Sequence, residues 1–349
     1  MSGGRISWVD YARGLCIILM VLAAATLGPG EPSAAENWFA ALSTWAQPFA
    51  LPAFFLIAAL FLHRSVFGAR SAYFDRKVLH FVYFYAVWLA LQTVLLDPAA
   101  LIEAPGRLVQ AYAMAWIDPA ESLWVLHALI LFHVVTRLIR HLHIGKVLAF
   151  AALLQVLQQA HLFATGWSVA DHLAQYYVFF FAGYAFSPIV FQYARAVTLR
   201  APDVAKTFAI WFFVHTGFVL LGSASLPVVS LVLGLAGAMA LVTAGIALSR
   251  VPHTGLIGRA GRHALAIYVG YFIPMAVLRG AFAFADIAPS GGLAAPLIAS
   301  ASFGLALYAH RRLSATPLSV LYARPQMFRL KSAGSGKGGS LLPASMREA

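Results

Sequence analysis

Residues 8–28 read WVDYARGLCIILMVLAAATLG. Two opposite charges, Asp10 and Arg13, are followed by an apolar run that begins near Gly14 and extends to about residue 30. At 1.5 Å of rise per residue, such a run as a helix crosses a hydrocarbon core of roughly 30 Å. Nine further runs of this kind follow, at about 44–62, 78–96, 122–139, 147–164, 173–193, 205–222, 226–249, 263–284 and 292–310. Composition agrees: 61% of the 349 residues are hydrophobic and 10% are charged, against about 25% charged in a typical soluble domain. Backbone polar groups in lipid must be satisfied within the segment, so these runs are helices. The fold expected is all-α: a polytopic transmembrane helical bundle of about ten helices.

The net charge of +12 could suggest a nucleic-acid partner, but its placement argues otherwise. If the chain alternates sides across ten spans, all of the 24 Lys and Arg residues except Arg107 and Arg279 fall on one side. The other side carries Glu31, Glu36, Asp97, Glu103, Asp118, Glu121, Asp171 and Asp286. This is the positive-inside asymmetry, which makes both termini cytoplasmic and the location a cell inner membrane. The partners expected are membrane lipid and no nucleic acid. Two parts are expected, a transmembrane domain over 1–313 and a basic, Gly/Ser-rich cytoplasmic tail over 314–349, disordered from about Lys331.

Arg5, the apolar run and Ala23-Ala24-Ala25 also fit a signal peptide with its cleavage site. Against that stands Asp10, inside what would be the positive region, and the expectation is that the segment stays as the first span. The single cysteine, Cys16, lies in that span and is expected to pack as a small apolar residue. Metal-ligand spacings such as HExxH or CxxC are missing, and no metal is expected.

Ionisable residues within spans cost about 2.5–3.5 kcal/mol each at the centre on insertion scales, so each needs a reason. Asp10 and Arg13, three apart, share a helical face at the mouth of the first span. They suit either a local ion pair or an Arg turned to a phosphate-bearing ligand. Arg76 and His80 are four apart beside Asp75 and Lys77 in YFDRKVLHFVYFYAVW, an arrangement able to grip phosphate through forked hydrogen bonds. His127 and His133 in the fourth span and His215 in the seventh are read first as packing residues hydrogen-bonded to neighbouring helices. Six residues apart, His127 and His133 make a poor metal pair. A polar-aromatic group of His161, Trp167, Asp171, His172, Gln175, Tyr176 and Tyr177 suits either a carbohydrate or an interfacial belt.

DYARG at 10–14, PFALPAFFLI at 48–57, the basic Arg76-Lys77, Leu123-Trp124 and GRHALAIYVGYFIPM at 261–275 occur in this order. Together they resemble acyltransferase family 3, integral membrane O-acyltransferases acting on sugars and envelope glycans. The resemblance implies transfer of an acyl group from acyl-CoA, with acetyl-CoA the donor expected, to a hydroxyl of a sugar or glycan acceptor. It implies donor binding at Arg13, Arg76, Lys77 and His80, acceptor binding at Trp124, Trp167, Asp171 and His172, and a catalytic group containing Asp10 and Arg13. Relatives usually carry R-x10-H, whose His serves as general base. In this chain that position is Ala24. The second span also has Ala50 where relatives have Arg, and Ala58-Ala59 where they have Ser-Gly. A methyl group cannot accept a proton, so activity is expected to be lost or altered, unless the base has moved to His127 or His172. A diverged non-catalytic relative, and a sequence whose key residues were replaced by Ala, also stay open. Outside catalysis, a transporter, a flippase-like protein or a complex subunit remains the alternative.

Overall fold

A computed structural model describes residues 6–26, 38–119, 122–197, 201–284 and 293–330. Arg5, Glu31, Glu36, Glu121, Arg200, Asp286 and the segment from Lys331 lie outside the described residues. The rest is all-α, with no strand among the described residues. The main helices are α1 (Ser7–Ala25), α2 (Trp38–Ala59), α3 (Leu79–Leu96), α4 (Trp124–Leu138) and α5 (Ile144–Gln159). There follow α6 (Ser168–Ala185), α7 (Ser187–Val197), α8 (Ala201–Leu220) and α9 (Pro227–Leu248). The chain ends in α10 (Gly255–Arg262), α11 (Ala264–Gly270), α12 (Phe272–Phe284) and α13 (Ala294–Leu313).

Each apolar run found in the sequence falls on one or two of these helices, but they do not form a uniform set. Among the described residues five segments are long and apolar enough to cross a membrane: α1, α2, α9 and the continuous stretches Arg70–Leu96 and Ala264–Phe284. Helices α6 and α7 bend by 68° at a break, while α4 and α5 are shorter. The chain is a multi-pass membrane protein by these features. One boundary matters for the site: α1 starts at Ser7, not near residue 14. Asp10 and Arg13 therefore stand in the first two turns of α1, and Asp10 is only 6% exposed.

Helix α1 is central, packing against α2, α9, α10, α11 and α13. In lipid, helix association depends on close approach and hydrogen bonding, because lipid tails are as apolar as the helices, and small residues permit that approach. The α1–α10 contact is of this kind. A Cβ at Gly14 would overlap the carbonyl oxygen of Ile257, and one at Gly261 would overlap that of Asp10. Gly14 follows Arg13, and Gly261 precedes Arg262, so the same contact sets two arginines side by side.

Residues 314–330, the first part of the expected tail, run back along α3. Trp88 Nε1 donates to the Leu321 carbonyl at 2.8 Å, and Tyr83 donates its hydroxyl to the Val320 carbonyl at 2.8 Å. Arg324 forms an ion pair of 2.7 Å with Asp75 and also donates to the Asp75 carbonyl at 2.8 Å. The Leu330 N–H adds a second donor to the Asp75 carboxylate at 2.8 Å.

Candidate functional site

Two cavities meet inside the bundle. The first, of about 340 Å³, lies at the end of α1 that carries Arg13. Arg13, Arg76, Lys77 and His80 all line it, joined by Arg262 from α10 and His133 from α4. Arg76 and Lys77 belong to a π-helical turn, Phe74–Val78, that leads into α3. Such turns alter the helical register and occur often at functional sites. Here Asp75 faces Arg324 while Arg76, Lys77 and His80 face the cavity. Four cations around one cavity, with forked guanidinium donors among them, make a site for a phosphorylated or otherwise anionic group.

The second cavity, of about 180 Å³, lies at the opposite end of α1. Ala24, Met20, Trp124, Ser122, Tyr271 and Arg279 are among its lining residues. Arg279 donates to the carbonyl oxygens of Ala24 and Ala25, both at 3.0 Å. Those carbonyls close α1, whose negative dipole end favours a cation. Val125 and Tyr268 line both cavities, so the two share one wall. The Tyr268 hydroxyl accepts a hydrogen bond from the Val125 N–H at 3.2 Å, in the first turn of α4, where backbone donors lack helical partners.

The other candidates part company here. Trp124 lines the Ala24 cavity, but His127 does not; its ring lies against Tyr85 at 5.4 Å between centroids. His172 stacks on Trp124, with centroids 4.0 Å apart, and does not line the Ala24 cavity. Neither histidine is among the described lining residues of the Ala24 cavity. Trp167 and Asp171 are engaged in a loop. Trp167 donates to the Ile117 carbonyl at 2.6 Å, while Asp171 accepts from the N–H and hydroxyl of Thr165 at 3.0 and 2.9 Å. Trp167 thus ties two loops together, and one oxygen of Asp171 closes the turn at Thr165. Asp10 is buried next to the α10 backbone and does not line the first cavity.

His133 is held by a 2.7 Å hydrogen bond between Nδ1 and the Leu129 carbonyl, which makes Nδ1 the donor and Nε2 the acceptor. His215 Nε2 pairs with the Trp45 carbonyl at 2.9 Å inside an aromatic cluster of Trp45, Phe49 and Trp211. Cys16 is free, buried and part of the first cavity's lining. Among the described residues no group of three or more His, Cys, Asp or Glu side chains could hold a metal ion.

Arg262 and Arg279 are the site residues that sequence reasoning missed. Both entered it only as counts in a charge asymmetry. The GR pair at 261–262 carried a signal for Arg262, since a glycine just before an arginine allows the backbone contact that places it.

With this geometry in hand, comparison with known families is informative. The family model Acyl_transf_3, described as an acyltransferase domain, matches residues 6–311. The chain belongs to this family, which makes it a membrane acyltransferase-like protein. No curated protein and no solved structure matches it.

Proposed function

We propose that the protein binds acyl-CoA, with acetyl-CoA the first donor to test, in the cavity of Arg13, Arg76, Lys77, His80 and Arg262. A hydroxyl of a sugar or envelope glycan approaches through the Ala24 cavity. In this reading the protein sits in the cell inner membrane with both termini and the basic cavity on the cytoplasmic side, and the acceptor arrives from the opposite side. The observation that carries the reading is the shared wall at Val125 and Tyr268, which brings an anion-binding cavity and a second, separate cavity end to end. Transfer requires attack of the hydroxyl oxygen on the thioester carbonyl, departure of the CoA thiolate and removal of the hydroxyl proton. For the last step the described lining of the Ala24 cavity offers no imidazole. Among the described residues no histidine lines the Ala24 cavity, and general-base catalysis is worth about 10²–10⁴-fold. Donor binding with slow or no transfer is therefore the expected behaviour.

Restoring the base tests this. Ala24→His in purified, membrane-reconstituted protein should raise acyl-CoA turnover about 10²-fold or more over the unchanged chain. No gain, with acyl-CoA bound in an Arg13- and Arg76-dependent way, would favour a second reading. In that reading the protein is a transporter, a flippase-like scaffold or a complex subunit, favoured by the described lining of the Ala24 cavity, which includes neither His127 nor His172. Acyl-CoA binding that ignores both arginines would overturn the donor assignment itself.

A further inference from the structure

A third cavity adjoins the Ala24 cavity and differs from it in chemistry. Its volume is about 290 Å³, and it lies between α2, α5, α6, the end of α8 and the start of α9. Gln47, Gln155, Gln159, Gln175, Ser225 and Ser230, with the hydroxyls of Thr44 and Tyr176, supply its polar atoms, and among the described residues no charged side chain lines it. Gln47 also lines the Ala24 cavity. The partition continues as rings: Trp124 on the Ala24 side and Tyr176 on the glutamine side lie 5.4 Å apart between centroids.

One buried acceptor here has no donor from the fold, and two carbonyls lack their usual helical donor. Gln155 is 2% exposed, and its Nε2 donates to Ser230 Oγ at 2.9 Å, but its buried Oε1 has no hydrogen-bond partner. A buried amide oxygen left unpaired costs about 1–3 kcal/mol, so it calls for a donor from elsewhere. Pro48 and Pro52 within α2 have no N–H, which removes the usual helical donor to the carbonyls of Thr44 and Pro48. Thr44, Pro48 and Pro52 all line the cavity.

We propose that this chamber binds an uncharged, hydroxyl-rich group: one sugar residue of the acceptor, adjoining the residue whose hydroxyl enters the Ala24 cavity. The inference rests on the acceptor reading above and narrows it to a neutral glycan at this position. A hydroxyl donates and accepts at one atom, as a primary amide donates and accepts at adjacent atoms, so glutamines match sugar hydroxyls without selecting a charge. Tyr176 and Phe179 supply apolar faces for the ring carbons. A carboxylate or phosphate would enter without a cation among the lining side chains and would lose hydration uncompensated.

The test uses the full chain in nanodiscs, with saturation-transfer NMR on maltotriose, cellotriose and chitotriose as neutral probes and trigalacturonate as the charged one. At least one neutral trisaccharide should receive saturation above empty nanodiscs. Gln175→Leu should reduce that transfer at least fivefold, and Gln155→Leu should do the same; trigalacturonate should receive none. Gln175 is half-buried and makes no bond that holds two helices, which guards against a folding artefact in Gln155→Leu. Transfer absent from every neutral probe, unaffected by Gln175→Leu, or equal for trigalacturonate overturns the proposal. Acetyl-CoA titration of the same samples separates the two readings. Lost donor binding with intact sugar transfer defeats the acyltransfer reading alone, and lost sugar transfer with intact donor binding defeats the glycan chamber alone.

Discussion

Gly261 and Asp10 meet backbone to backbone: the position a Cβ would take on Gly261 is already filled by the Asp10 carbonyl oxygen, with the Gly14 nitrogen 2.8 Å away. The contact joins α10 to α1 and fixes Arg262 relative to Arg13. A methyl group cannot be absorbed by a flexible side chain there, because both neighbours are main chain. Gly261→Ala should therefore destabilise the protein by about 1–3 kcal/mol, the range for overpacking a close contact. It should also weaken acyl-CoA binding. Gly217→Ala in α8, where nothing lies within 4 Å of the added carbon, is the matched control and should be neutral or slightly stabilising. Thermal unfolding in detergent and acyl-CoA titration read the two effects.

Arg262 gives the second prediction. It lines the basic cavity with Arg13 and Arg76. A hydrogen bond to a charged group is worth about 1.5–3 kcal/mol. Arg262→Gln should therefore raise the Kd for acetyl-CoA by about 10- to 100-fold, and Arg262→Lys should recover only part, since a point charge lacks the guanidinium fork. Binding should weaken with added salt in the parent and less steeply in the Gln variant. An unchanged Kd would remove Arg262 from the donor site.

Tyr268 stands in the wall between the cavities, and its hydroxyl holds the Val125 N–H. Tyr268→Phe keeps the ring and removes the acceptor. Leaving a buried N–H unpaired costs about 1–3 kcal/mol. The expected outcome is a lower Tm together with faster hydrogen exchange at the start of α4, with acetyl-CoA affinity within a few-fold of the parent. Exchange unchanged at Val125 would show that the hydrogen bond does not hold that turn.

Period and charge made the all-helical membrane fold legible, because a run of apolar residues near 20 long reports its burial without reference to any partner. Ala24 was singled out through the resemblance, which places a histidine at that distance from Arg13, and the structure sets it in the lining of a cavity. The donor-side quartet Arg13, Arg76, Lys77 and His80 was named from two separate segments, yet nothing local said that they share a cavity. That follows from the π-helical turn, which packs beside α4 and faces the cavity that Arg13 of α1 also lines, a register change that no residue in FDRKV announces. Arg262 was hidden for a different reason: its position depends on two glycines in different helices, and neither is informative alone. For Trp167 and Asp171 the sequence shows the residue types but not the hydrogen bonds that hold them, from Trp167 to the Ile117 carbonyl and from Thr165 to Asp171. The glutamines of α5 drew no attention in an apolar helix, although Gln155 in such a place is costly unless something pairs with it.

The strap formed by residues 314–330 supplies the last prediction. Arg324 and Asp75 have side chains 6% and 15% exposed, and the Asp75 carboxylate also takes the Leu330 N–H. Removing one partner of a buried pair is costly, about 3–5 kcal/mol, because the other charge stays buried without compensation. Arg324→Ala should therefore release the strap from α3 rather than keep Asp75 buried and unpaired. The released segment exposes Arg324's neighbours to trypsin, so cleavage at Arg329 should speed up well over tenfold while the bundle stays intact. Asp75→Asn with Arg324→Gln removes both charges and leaves two groups able to hydrogen-bond, and should restore most of the protection. Because Asp75 adjoins Arg76 and Lys77 in one turn, strap release should also shift those two side chains and raise the Kd for acetyl-CoA several-fold. Protection lost with no change in that affinity would confine the strap's role to stability.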